Sequence, residues 1–241
     1  EWAVLLDGVK PKPTRFVWAE GYFWHKAVHK AFDNFWANKE VNNKGLQDYY
    51  SDCWEHVVEK LGDKPAVIGF DVMNEPFPGS SGGKVFKRIV ANAVKTILFD
   101  KDVKRMTLIK ELINNKPEDA IGKVLTHINY DVFKKITTVA DDIIETFDTK
   151  TYAPFLNKVA GAIRKKNDKL VLMENCYYSN LGIPFCAPLI TVDGKRDNNQ
   201  VFAPHAYDLM VDTPAYKYAS NDRVGGIFAE HRHSQDRLNV P

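Results

Sequence analysis

The run Ala66-Val67-Ile68-Gly69-Phe70-Asp71-Val72-Met73 most constrains what this chain can become. It is short, β-branched and nearly continuous in apolar character, the pattern of a parallel strand buried on both faces. It stops abruptly at Asn74-Glu75-Pro76. A parallel strand reaches its neighbour only through a long crossover, usually a helix. The sequence offers helices on both sides. Ala27, Val28, Ala31, Phe32, Phe35 and Trp36 recur at helical spacing, and Leu46, Tyr50, Cys53, Trp54, Val57, Val58 and Leu61 do so again before Gly62.

Downstream, a Gly/Ser/Pro-rich loop is expected from Phe77 to Gly83, then a charged and mostly helical insertion over about 84–147. A helix over 151–166 turns Phe155, Val159 and Ile163 inward and leads to a second strand, Leu170 to Glu174. A third strand covers Val201 to His205, and a helix over about 223–237 leads to Val240. Strands that alternate with long helices predict an α/β fold with a parallel sheet. No internal repeat or low-complexity linker divides the chain, so residues 1–241 read as one domain.

Three convincing strands are too few for an eight-stranded (β/α)8 TIM barrel, which takes ~250 residues. The expectation is a partial barrel, about strands 4 to 6 with the helical insertion. The chain opens at Glu1 without methionine and stops at Asn239-Val240-Pro241, a strand lead-in, so both ends read as cut.

At 241 residues and 44% hydrophobic content the chain can bury a large core. Thirty-three basic and 31 acidic residues leave a charge of +2, and no Lys/Arg run is interleaved with aromatics, so no nucleic-acid partner is expected. The longest apolar stretches are about eight residues, short of the ~20 that span a bilayer. Cys53, Cys176 and Cys186 lack C-x-x-C spacing, which argues against structural zinc; Cys53 reads as core, and Cys176 and Cys186 either pair or stay free.

In barrels the chemistry sits at the C-terminal ends of strands. The three strands end in Asn74-Glu75, Glu174-Asn175 and His205-Ala206-Tyr207. A carboxylic acid beside an amide and backed by a proline turn suits glycoside hydrolysis, in which one carboxyl protonates the leaving oxygen and a second attacks or activates water. Glu75 fits the acid/base, and Asn74 a bond to the sugar 2-OH. The plainer reading is a turn with an exposed carboxylate.

Gly69-Phe70-Asp71-Val72-Met73-Asn74-Glu75-Pro76-Phe77 resembles the fourth-strand signature of glycoside hydrolase family 5, and His205-Ala206-Tyr207 its sixth-strand His-x-Tyr. Gly21-Tyr22-Phe23-Trp24, the segment Ala31 to Lys39, and Glu174-Asn175 leading to Asn180-Leu181-Gly182-Ile183-Pro184 look like the family's endoglycoceramidase branch. The resemblance implies a retaining double displacement, with no cofactor or metal and no obligate protein partner. Its nucleophile would be a second Glu, at the end of the seventh strand and past Pro241, so these residues alone would be inactive. Glu230 sits instead in an amphipathic helical pattern. The family's arginine and histidine/aspartate sites from the second and third strands, and its eighth-strand tryptophan, have no counterparts.

The resemblance also implies that Tyr207 bonds the nucleophile, while His205 contacts substrate or Glu75. Glu174 either touches a distal sugar or pairs with a lysine. His231 and His233 read as solvated helix residues. Phe77-Pro78, Leu181 to Phe185, and Leu209-Met210-Val211 form either an apolar lip for a lipid aglycone or ordinary loop packing. The substrate would be an oligosaccharide or a glycolipid such as a glycosphingolipid, with membrane-surface contact through that substrate and a secreted or extracytoplasmic location implied by the family. An endo-β-glucanase and a catalytically inactive carbohydrate-binding barrel are the alternatives.

Overall fold

A computed structural model describes residues 2–13, 19–208, 210–211 and 216–241. Helices α1 (Trp2–Asp7), α2 (Glu20–Trp24) and α3 (Lys26–Trp36) come first, then a small hairpin of β1 (Glu40–Val41) and β2 (Lys44–Gly45). Helix α4 (Leu46–Leu61) leads to strand β3 (Gly69–Asp71). Five helices follow: α5 (Ser80–Phe99), α6 (Arg105–Asn114), α7 (Pro117–Thr126), α8 (Tyr130–Thr137) and α9 (Asp141–Phe147). A π-helical turn (Asp148–Tyr152) runs into α10 (Ala153–Arg164) and strand β4 (Leu170–Met173). A second hairpin, β5 (Thr191–Val192) and β6 (Lys195–Arg196), precedes β7 (Gln200–Phe202) and α11 (Asn221–Leu238).

The three strands expected from the sequence form one parallel sheet in the order β3-β4-β7. Phe70 aligns with Val171 and Val171 with Gln200; Met173 aligns with Phe202. All five are buried and, with Val72, make the face that meets the helices. The opposite face is different. Asp71 is exposed, and Leu172 and Val201, beside it in register, are only half-buried. The expectation of burial on both faces therefore holds for one face, and β3 is three residues long because Ile68, 76% exposed, lies outside the ladder. At the far edge, Phe202 N–H donates to Pro241 O at 3.0 Å, so the residues after α11 run beside β7.

Helix α10 is the centre of the covering layer. Phe155, Leu156, Val159, Ala160 and Ile163 are all essentially inaccessible. The Phe155 ring meets Phe35, Trp36 and Tyr50 at centroid distances of 5.4, 5.4 and 5.5 Å, which joins α3 and α4 to the same core. Burial of a side chain of this size contributes roughly 1.5–3 kcal/mol.

Helix α5 begins at Ser80, inside the segment expected to be loop. Asp33 of α3 supplies the missing start signal from a distance: its Oδ1 accepts the Ser80 N–H at 2.8 Å, and its other oxygen accepts the Ser80 hydroxyl. Gly82 is a packing requirement, since a Cβ there would sit 2.4 Å from the Phe77 ring. One cysteine expectation changes, and the alternative left open for the other two is decided. Cys53 is exposed, because α4 turns it away from the face that carries Trp54 and Val58. Cys176 and Cys186 are free thiols, the first buried and the second half-buried. Among the described residues no helix is long and apolar enough to cross a membrane.

Asp148, at the start of the π-helical turn, is fully buried. Its Oδ2 accepts the Cys186 N–H at 2.7 Å, but no hydrogen bond to Oδ1 is described. Burial pushes its carboxyl up to about 7, against weaker pulls from the Cys186 N–H and Arg237. The folded chain therefore holds a proton that the unfolded chain releases near 3.8, so the stability this group contributes is full below that pH and lost as pH rises towards 7. Asp148→Asn keeps the acceptor for Cys186 and abolishes the charge. Thermal melts should show the variant more stable than the parent at pH 8, by up to a few kcal/mol, with the gain vanishing near pH 4; equal melts at pH 8 would show that Asp148 is not strained by its charge.

Candidate active site

The end of β3 is fixed before any functional group appears. Val72 O accepts from the Tyr50 hydroxyl at 2.6 Å and from Trp54 Nε1 at 3.2 Å, so α4 anchors the first carbonyl past the strand. Trp36 Nε1 donates to Phe77 O at 2.8 Å, and Tyr177 N–H to Pro76 O at 3.1 Å. Between these anchors Glu75 takes φ +43°, a left-handed conformation that costs a non-glycine residue about 1–3 kcal/mol. Pro76 already disfavours the right-handed helical basin for its predecessor.

The Glu75 N–H donates to the Glu174 carboxyl, just past the end of β4, at 2.7 Å. His205, beyond β7, then closes the group: its Nδ1 lies 2.9 Å from Glu75 Oε1 and its Nε2 3.3 Å from Glu174 Oε1. One residue from each of three adjacent strand ends thus meets at the C-terminal rim of the sheet, as the sequence anticipates for Glu75, Glu174 and His205. Glu174 is not paired with a lysine among the described ion pairs; a histidine and a backbone N–H take the lysine's place.

The proton arrangement follows from the inventory of donors. A neutral imidazole offers one N–H and one acceptor, so with both ring nitrogens facing carboxyls either the ring is cationic or one carboxyl carries a proton. Burial, and then a hydrogen bond with Asp71, push Glu174 up to about 7, while the Glu75 N–H and His205 favour its anion. Around neutrality Glu174 is therefore poised between its two forms.

Several contributors were not legible beforehand. Asn175, fully buried, accepts the His205 N–H at 2.6 Å and donates to Asn180 Oδ1 at the same distance. His231 was expected to be solvated, yet it is 2% exposed and its Nε2 bonds His205 O at 2.8 Å, because α11 lays that face against the strand end; His233 is exposed as expected. Tyr22 stacks on Phe77 at 4.7 Å, and burial followed by the negative charge of Glu75 raises its phenol. Tyr22 and Asn175 lie in motifs that carry the resemblance, but no motif assigned them these contacts, and nothing in the sequence pointed to His231 of α11.

Other candidates sit further out. Tyr207 is 48% exposed, its ring edge-on to His205 at 6.2 Å, and Asn74 is exposed beside Glu75. Glu230 is half-buried in α11 and ion-paired with Lys134. The apolar-lip reading gives way to core packing: Phe77, Ile183, Phe185 and Met210 are all buried, Val211 is exposed, and Leu209 lies outside the described residues. A cleft of 410 Å³ is lined by residues including Asp33, Trp36, Arg88 and Asp142 and not by this cluster. No group of three or more His, Cys, Asp or Glu that could hold a metal occurs among the described residues.

A helix-covered parallel sheet with polar groups gathered at its C-terminal rim is the arrangement in which barrel enzymes place their chemistry. Residues 24–111 match the family model described as cellulase (glycosyl hydrolase family 5). An endoglycoceramidase of Hydra vulgaris is 33% identical over 66 residues, 27% of this chain and 12% of that protein; one of Cyanea nozakii is 34% identical over 65 residues, with the same coverage. Solved structures of endo-glycoceramidase II from Rhodococcus sp. superpose with a TM-score of 0.61 at 20% identity, covering all of this chain and 41% of that one; a complex of that enzyme with ganglioside GM3 gives the same score. The chain thus spans well under half of that solved enzyme, and the likeness shows the fold. The resemblance to glycoside hydrolase family 5 and its endoglycoceramidase branch, read from the residues, is borne out.

Two measurements test the site's construction. Asp71→Asn should bring the Glu174 midpoint down from about 7 in carboxyl ¹³C NMR, since it replaces a competing acid with a donor; an unmoved midpoint would leave burial as the whole cause. Asn175→Ala should cost about 1–3 kcal/mol in urea unfolding because it strands a buried N–H, whereas the exposed Asn74→Ala should stay within about 0.5 kcal/mol.

Proposed function

We propose that this chain supplies the acid/base half of a retaining β-glycosidase site, with Glu75 as the acid/base. The reading rests above all on the His205 imidazole held between Glu75 and Glu174. Glu75 protonates the departing glycosidic oxygen while a second Glu, supplied from outside these 241 residues, attacks the anomeric carbon; Glu75 then takes a proton from the water that hydrolyses the glycosyl-enzyme. His205 orients the Glu75 carboxyl, and Glu174 holds its backbone in the left-handed turn and borders a distal sugar. Asn74 bonds the sugar 2-OH, and Tyr207, solvent-facing here, turns its hydroxyl to the nucleophile. On this reading β3, β4 and β7 are the fourth, fifth and sixth strands of one barrel domain, with α5 to α9 as its helical insertion.

The substrate we favour is a glycosphingolipid, cleaved between oligosaccharide and ceramide. It draws on the names of the relatives and on the GM3 complex of the Rhodococcus enzyme. The cellulase description of the family model supports an endo-β-glucanase as the second reading. Release of an intact oligosaccharide from a ganglioside, set against cleavage of a soluble β-glucan, separates the two.

For the acid role, Glu75→Gln in the protein that carries this chain should slow glycolipid cleavage by ~10²–10⁴-fold. Aryl glycosides with good leaving groups need little proton assistance and should be spared in the glycosylation step. Equal losses on both substrate types in that step would instead give Glu75 a nucleophilic or structural role.

A further inference from the structure

Apolar surface is abundant on this chain, but far from where a lipid-binding lip was expected. Helix α6 turns Leu108 inward, 2% exposed, and turns Met106, Ile109, Leu112 and Ile113 outward at 67, 45, 54 and 76% exposure. The spacing 106, 109, 113 with 112 beside 109 places these four on a single face. Helix α5 carries an outward stripe of Val90, Val94 and Leu98, four residues apart, and ends on Phe99. At the start of α6 a cleft of 320 Å³ is lined by Val103, Lys104, Arg105, Met106 and Thr107.

The charge along this stretch is mostly positive. Residues 84–116 hold nine Lys or Arg and three acidic residues, in a chain whose total charge is only +2. The nine cations are all exposed. The acids are already engaged: Asp100 and Asp102 by Lys135, and Glu111 by Asn115 and His127. Only one of the nine, Arg88, is tied to an acid, Asp142, among the described ion pairs.

We propose that the outward face of α6 forms a docking surface for an anionic lipid bilayer. The helix lies in the interface plane, with Met106, Ile109, Leu112 and Ile113 among the acyl chains and Lys101, Lys104, Arg105 and Lys110 against anionic headgroups. An exposed apolar face ringed by unneutralised cations is the form that such interfacial helices take, and ten residues are too few to span the bilayer. The surface is separate from the Glu75 cluster, and the inference stands whether or not the chain is a glycosidase.

The test is sedimentation of the full chain with vesicles of phosphatidylcholine, with and without phosphatidylserine. The chain should bind the anionic vesicles several-fold better, and added salt should release it. Ile109→Ser with Ile113→Ser should weaken binding about tenfold or more, and Lys104→Gln with Lys110→Gln should erase most of the preference for phosphatidylserine. Both pairs are exposed, so circular dichroism should match the parent, and the salt dependence of the parent tests the idea without any variant. Failure to sediment with either vesicle, or sedimentation that neither pair of changes reduces, would overturn it. So would self-association in sedimentation equilibrium that the serine pair abolishes without any lipid binding, which would assign the face to a second copy of the chain.

Discussion

The Glu75 N–H to Glu174 carboxyl bond is the point on which the rest of the site turns. It ties the ends of two strands whose connection runs through six α-helices and a π-helical turn, and it holds Glu75 in a left-handed turn that its side chain would otherwise oppose. That turn aims the Glu75 carboxyl at His205 instead of along the strand. The same Glu174 oxygens accept from a backbone on one side and face an imidazole on the other, so a single buried carboxyl sets both the geometry and the local charge.

Support for this bond comes from layers behind it. The Tyr50 and Trp54 side chains on Val72 O, and Trp36 on Phe77 O, hold the β3 end from α4 and α3, while α10 fills the space beneath with Phe155, Val159 and Ile163. Asn175 and His231 do the equivalent for His205, gripping its N–H and its carbonyl from opposite sides. Buried polar groups that find partners in this way specify one arrangement, because each lost partner leaves a desolvated atom behind. Asp148 Oδ1, the Tyr152 hydroxyl and His231 Nδ1 are among the buried atoms for which no such partner is described.

The outer surface follows a different rule. The loops beside the site, which look apolar in sequence, are drawn into the core, whereas α5 and α6, which look merely charged, leave their apolar residues in water. Hydrophobic content alone does not say which side of an element faces in, since that depends on what is packed against it.

The sequence by itself determined the three strands, their parallel kind, the helices α3, α4, α10 and α11, and the strand-end identity of Glu75, Glu174 and His205, because apolar periodicity and abrupt polar stops are local properties. Tertiary structure decided the rest. Which face of β3 is covered, the start of α5 at Ser80 through Asp33, the exposure of Cys53, the burial of His231, the left-handed turn at Glu75 and the imidazole shared between two carboxyls each depend on groups tens of residues away. Their physical cause is the partner that arrives, and no pattern within one segment encodes it.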